Sequence, residues 1–115
     1  MTRTFIEFPR FTKQWETLGF DDDALRGLQD IIMDDPEAGD LIRGTGGVRK
    51  LRFAFVGKGK SGSSRIIYVD FAAYESVYLI AAYQKSDKEN LTKEERNEIK
   101  KLVQELKRLE REARK

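Results

Sequence analysis

The stretch VRKLRFAFVGKGKSGSSRIIYVDFAAYESVYLIAAYQ (48–84) decides the fold. In VRKLRFAFV (48–56), Leu51, Phe53 and Phe55 alternate with Lys50, Arg52 and Ala54, the period-two pattern of a strand with one apolar face. RIIYVDF (65–71) and SVYLIAAYQ (76–84) are apolar, β-branched and aromatic, so both read as strands, the second a central one. Between the first two lies GKGKSGS (57–63), a loop by composition. Short loops join antiparallel neighbours, which predicts a three-stranded meander. Gly44, Gly46 and Gly47 mark the turn that leads into it.

Helices flank this meander. Upstream, RTFIEF (3–8) reads as a short strand, and Pro9 suits the first turn of a helix. Phe8, Phe11, Trp15 and Leu18 then recur on one helical face until Gly19. Asp21, Asp22 and Asp23 give a second helix an acidic start, Leu25, Leu28 and Ile32 its apolar stripe, and Asp35-Pro36 its stop. Downstream, Thr92 and Glu95 fit a capping box opening a last helix, whose stripe is Ile99, Leu102, Val103, Leu106 and Leu109. The predicted order is β-α-α-β-β-β-α in one α+β domain, 1–115, with the helices expected against one face of a mainly antiparallel sheet.

Composition narrows the chemistry. The 115 residues include no His and no Cys, which removes disulfides, thiolate nucleophiles, imidazole bases and His- or Cys-ligated metals. No apolar run approaches the ~20 residues of a membrane span, and MTRTFIEFPRF lacks a signal-peptide core. A soluble cytoplasmic protein is expected. The net charge of +2 conceals segregation. Residues 1–40 sum to −6 and residues 41–69 to +7, the latter without a single carboxylate. Arg49, Lys50, Arg52, Lys58, Lys60 and Arg65 fall on two adjacent strands and the loop between them, so a hairpin would bring them together. Such a cluster binds phosphates and stabilises the charge of a phosphoryl transition state. Tyr68, Tyr78 and Tyr83 lie on neighbouring strands and could stack on bases, although core packing would equally account for Tyr68 and Tyr78.

Two other readings fail. AFVGKGKS (54–61) nearly matches a nucleotide-binding phosphate loop, but a strand follows it where that motif requires a helix N-terminus. The aspartates at 21–23 and 34–35 sit at predicted helix ends, where capping explains them better than a metal site.

Three stretches together resemble the RelE/HigB group of toxins from bacterial type II toxin–antitoxin modules: LIRGTGGVRKLRFAFVGKGKSGSSRIIYVDF (41–71), VYLIAAYQKSDKENLT (77–92) and EERNEIKKLV (94–103). The resemblance implies a small ribonuclease that enters the ribosomal A site and cuts mRNA without a metal or other cofactor. It also implies a neutralising antitoxin, often with a helix-turn-helix domain. By motif position Arg65 resembles the arginine that clamps the scissile phosphate. Lys58 and Lys60 resemble loop lysines that position phosphate or move protons, and Lys85 matches the basic residue after the last strand. Arg49, Lys50, Arg52 and Tyr68 are the expected RNA-binding residues. The chain departs from the pattern at Leu91, where RelE-type enzymes carry a tyrosine, so Lys58, Lys60 and Tyr83 all remain open as the general base. Two alternatives stand beside the nuclease: a gyrase-poisoning toxin of the ParE kind, and a non-catalytic nucleic-acid adaptor using the same basic face.

Overall fold

The computed structural model describes residues 2–55, 63–88 and 90–114. Strand β1 (Thr4–Glu7) leads into helix α1 (Pro9–Thr17) and helix α2 (Asp22–Asp34). A two-residue strand β2 (Asp40–Leu41) precedes β3 (Val48–Phe53), β4 (Ser64–Phe71) and β5 (Ser76–Gln84), and helix α3 (Lys93–Ala113) closes the chain. The sheet order is β1-β5-β4-β3-β2. All pairings are antiparallel except β1 with β5, so the predicted meander sits at the centre and β1 is added in parallel on its flank.

The helix ends obey the expected chemistry. Pro9 occupies the first turn of α1, where a missing N–H costs nothing. The Asp21 carboxylate caps α2 by accepting from Ala24 N at 3.0 Å, with Asp22 and Asp23 in the first turn. At α3 the capping box is complete: Glu95 N donates to Thr92 Oγ1 at 3.1 Å, and Thr92 N to Glu95 Oε1 at 2.8 Å. Burial lowers the free energy of these amphipathic helices far more than local propensity does.

The helices cover both faces of the sheet, not one. Phe11, Trp15, Leu28 and Ile32 of α1 and α2 pack on Leu51, Phe53, Ile66 and Leu79. Val103 and Leu106 of α3 pack on Val48, Ile67, Val69, Tyr78 and Ile80 from the other side. Two-sided burial is why β4 and β5 are apolar at both parities. Trp15 anchors the first core, its ring 4.5 Å from Phe20 and 5.5 Å from both Phe11 and Phe53.

Two irregularities shape β5. Between β4 and β5, Ile67 pairs with Ala81 but Tyr68 pairs with Leu79, which leaves Ile80 as an extra residue, a β-bulge. Beyond it every β5 side chain changes face: Ala82 joins the α1–α2 core, and Tyr83 packs on the α3 side. Where β1 ends, α1 takes over along β5, and Gln14 Oε1 accepts from Ala82 N at 2.8 Å.

Candidate nucleic-acid interface

The register aligns Arg52, Arg65 and Tyr83 in one row across β3, β4 and β5. All three face α3, because Ile67, two residues from Arg65, lies in the α3-side core. The bulge at Ile80 is decisive here. Unbroken alternation from Tyr78 would send Tyr83 into the opposite core, so the inserted residue is what delivers its ring beside Arg65. Lys50, in the neighbouring row, faces the same way and donates from Nζ to Asn90 Oδ1 at 3.1 Å, tying the sheet to the segment before α3. Lys85 comes directly after β5, its amide donating to Ser63 O at 3.1 Å and its side chain exposed.

Arg65 is only 5% exposed. Its side chain makes a single long hydrogen bond, from Nη1 to Ser64 O at 3.5 Å, and among the described residues no carboxylate lies within ion-pair distance. A guanidinium carries five donors, and a buried cation held without an anion is unfavourable unless a ligand supplies one. Arg65 thus forms the floor of a cationic row whose exposed rim is Arg52 and Lys85. A phosphate matches that geometry and charge.

The structure separates two expected residues from this row. Arg49 points to the opposite face, where Nη1 donates to Gly39 O at 2.9 Å and Nη2 lies 3.7 Å from the Glu37 carboxylate. Tyr68 is fully buried on that face too. Its hydroxyl donates to Pro36 O at 2.9 Å and accepts from Gly39 N at 3.0 Å, bracing the link from α2 to β2. Burial pushes its hydroxyl pKa up, and stacking on a base is closed to it. Both belong to the scaffold, so the expected convergence of six cations narrows to Lys50, Arg52 and Arg65 within the described residues. Lys58 and Lys60 lie outside the described residues.

Beside the row, a cleft of about 470 Å³ opens between β5 and the first half of α3. Ile67, Ile80 and Ala81 floor it, Tyr83 joins it to the cationic row, and Leu91 lines its far wall. Its acidic members are Asp87, Glu95 and Glu98, and its basic ones Arg10 and Lys88. Lys88 is ion-paired with Glu95, which together with the backbone bond from Thr92 holds the Glu95 carboxyl below the usual range. Sequence reading missed this cleft. Arg10 and Gln14 carry no signal beyond a polar helix face, and the acids read as ordinary residues near a helix start.

A family model described as the RelE toxin of the RelE/RelB toxin–antitoxin system matches residues 7–114. The chain belongs to the RelE toxin family. This RelE-family chain is also similar in structure to a free-state mutant of the E. coli toxin RelE, with a TM-score of 0.54 and 18% identity over 77% of this chain and 90% of that one. A chain of the intact E. coli RelBE toxin–antitoxin complex gives a TM-score of 0.55 and 20% identity, covering 72% of this chain and 96% of that one. At these identities the two structures speak for the RelE fold alone. They match the α+β architecture, which among the described residues has three α-helices and a five-stranded mixed sheet. Among the described residues of this RelE-family chain, no helix is long and apolar enough to cross a membrane.

Proposed function

We propose that this RelE-family toxin is an mRNA endoribonuclease acting in the ribosomal A site without a metal, and that an antitoxin neutralises it in the cytoplasm. The observation that carries the reading is the row Arg52–Arg65–Tyr83, with a buried guanidinium that meets no carboxylate among the described residues. In the reaction, the ribose 2′-oxygen loses its proton to a base and attacks the adjacent phosphorus. The P–O5′ bond breaks, the 5′-oxygen takes a proton, and a 2′,3′-cyclic phosphate remains. Arg65 and Arg52 hold the phosphoryl oxygens as charge builds on them. Lys85 serves as the acid or a second phosphate ligand, while Lys58, Lys60 and Tyr83 are the groups available to accept the 2′-proton. Leu91 sits half-buried in the cleft wall and takes no part in proton transfer. The antitoxin is inferred from family membership and from the solved complex of E. coli RelB with RelE. A helix-turn-helix domain in it is part of the same proposal.

Inducible expression tests this directly. Growth arrest with mRNA cuts inside reading frames, lost in Arg65→Ala and Lys85→Ala, is the expected result. Arrest with broken DNA and intact mRNA would replace it with gyrase poisoning. Salt-sensitive RNA retention without arrest would leave a binding adaptor.

A further inference from the structure

We propose that the groove between the turn at 42–47 and the start of α3 binds a linear oligophosphate, at a site separate from the cationic row on the sheet. The groove measures about 480 Å³, a volume that suits a small molecule. Ile42, Arg43 and Gly44 line one side, and Lys93, Arg96 and Asn97 the other. Its three cations come from two elements distant in sequence, and no carboxylate lines it among the described residues.

The turn that presents Arg43 is fixed by its own residues. Thr45 is fully buried, and its hydroxyl donates to Ile42 O at 2.6 Å and accepts from Val48 N at 3.1 Å, which bridges the two ends of the turn. Gly44 and Gly46 have φ of +78° and +81°, a region open to glycine and costly to other residues. Gly46 also lies against α3, where a Cβ would come within 3.3 Å of Val103 Cγ1. The turn is thus seated on the helix, and Arg43 is held beside Lys93 and Arg96. The stretch GTGG (44–47) has no part in the row on the sheet, and shaping this groove gives it one.

Cations without anions mark the site. Elsewhere on the surface carboxylates hold them: Asp23 pairs with Arg26, Glu95 with Lys88, Glu105 with Arg108 and Glu110 with Arg114. Arg43 and Lys93 are exposed and make no side-chain hydrogen bond or ion pair among the described residues. Arg96 meets only a carbonyl there, Nη1 donating to Leu91 O at 3.2 Å. Three like charges in one concavity repel one another, and an anion relieves that cost. The helix end itself is not the attraction, because the capping box already occupies the Thr92 and Glu95 amides. An oligophosphate concentrates several negative charges and many acceptor oxygens in a short chain. It can meet both guanidinium forks, the Lys93 ammonium and the Asn97 amide together. A lone phosphate reaches fewer of these donors. A nucleic-acid strand spreads its charge along a line, which suits the row on the sheet better than a concave groove.

Calorimetric titration of the purified chain with orthophosphate, pyrophosphate and inorganic tripolyphosphate is the test. Affinity should rise about tenfold with each added phosphate. The double variant Arg43→Ala, Lys93→Ala should weaken tripolyphosphate by about 30-fold. The control Lys107→Ala, Arg111→Ala removes the same charge further along α3 and should change affinity by no more than about twofold. All four residues are exposed, so both variants should melt as the parent does. Arg52→Ala, Arg65→Ala should spare the tight site, which separates the groove from the row. Adenosine triphosphate binding tighter than tripolyphosphate assigns the groove to a nucleotide, and weaker binding assigns it to the inorganic chain; both uphold an oligophosphate. Equal losses in the groove variant and its control would reduce the effect to net charge and overturn the site. Loss in Arg52→Ala, Arg65→Ala, no saturable binding of tripolyphosphate, or saturation by single-stranded RNA alone would overturn it too. None of these readouts requires cleavage, so the nuclease reading stands or falls separately.

Discussion

Arg65 is buried, positively charged and, among the described residues, held by a single long hydrogen bond, and replacing it should have opposite effects on activity and stability. Arg65→Ala is expected to lower mRNA cleavage by about 100-fold or more, the cost of removing a donor aimed at transition-state charge. The same change should leave the melting temperature level or raise it, because an uncompensated buried charge is gone. Arg65→Lys should restore little, since an ammonium lacks the planar fork. Tyr78 gives a separate readout. Its hydroxyl donates to Glu110 at 2.6 Å, and burial together with that carboxylate pushes its pKa up to about 12. In the unfolded chain a tyrosine ionises near ~10. The stability tied to Tyr78 is therefore complete below that value and lost as pH rises towards 12, and Tyr78→Phe should flatten the alkaline limb of a melting-temperature profile. Placement was readable for Arg65, because the predicted hairpin sets it among neighbouring cations and the register pairs it with Arg52. Arg49 and Tyr68 were grouped with the cluster by their neighbours in sequence. Arg49 shares the parity of Leu51 and Phe53, which already sets it on the apolar face, whereas Tyr68 lies on a strand apolar at both parities; they face Glu37 and Pro36.

The start of α3 and the kink in β5 stand at opposite extremes of legibility. Thr92 and Glu95 were readable as a capping box because the signal is local, three residues apart. Thr92→Ala should cost about 1 kcal/mol in a urea titration. Glu95 adds a pH signature. Its carboxyl is held low by Lys88 and then by the Thr92 backbone, so its support for the helix is present above the ordinary carboxylate pKa and fades as pH falls through the lowered one. Lys88→Ala should shrink that acid-limb loss. The bulge could not be foreseen, because SVYLIAAYQ is apolar at both parities and hides an inserted residue. Deleting Ile80 should turn Tyr83 towards the α1–α2 core and abolish cleavage, while Ile80→Val should preserve it. A deletion variant that still cuts at the parent rate would remove Tyr83 from the site.

Over the whole molecule, charge is sorted by location while its sum stays near zero. Lys50, Arg52, Arg65 and Lys85 gather at one end of the sheet, and the acids of α2 lie across the opposite face. If those four cations neutralise RNA phosphates, the logarithm of affinity for single-stranded RNA should fall against log salt with a slope of about −3. Neutralising Asp22 and Asp23 should leave that slope unchanged, as anisotropy titrations would show. The separation into an acidic first third and a basic middle was plain in the chain, as was the α+β class. The two-sided sheet was not inferred, although the uniformly apolar β4 and β5 carried its signature; the expectation of a one-sided sheet weighed only the alternating β3.

Gln14 carries a quieter lesson. Where β1 stops, the remaining length of β5 would offer a bare backbone edge, the kind of template on which identical chains stack into fibrils. By accepting the Ala82 amide, one glutamine and the helix beneath it occupy that edge without lengthening the sheet. A toxin so guarded can accumulate without polymerising through its own strands, and Gln14→Ala should reveal the guard as a shortened lag before thioflavin-positive aggregation.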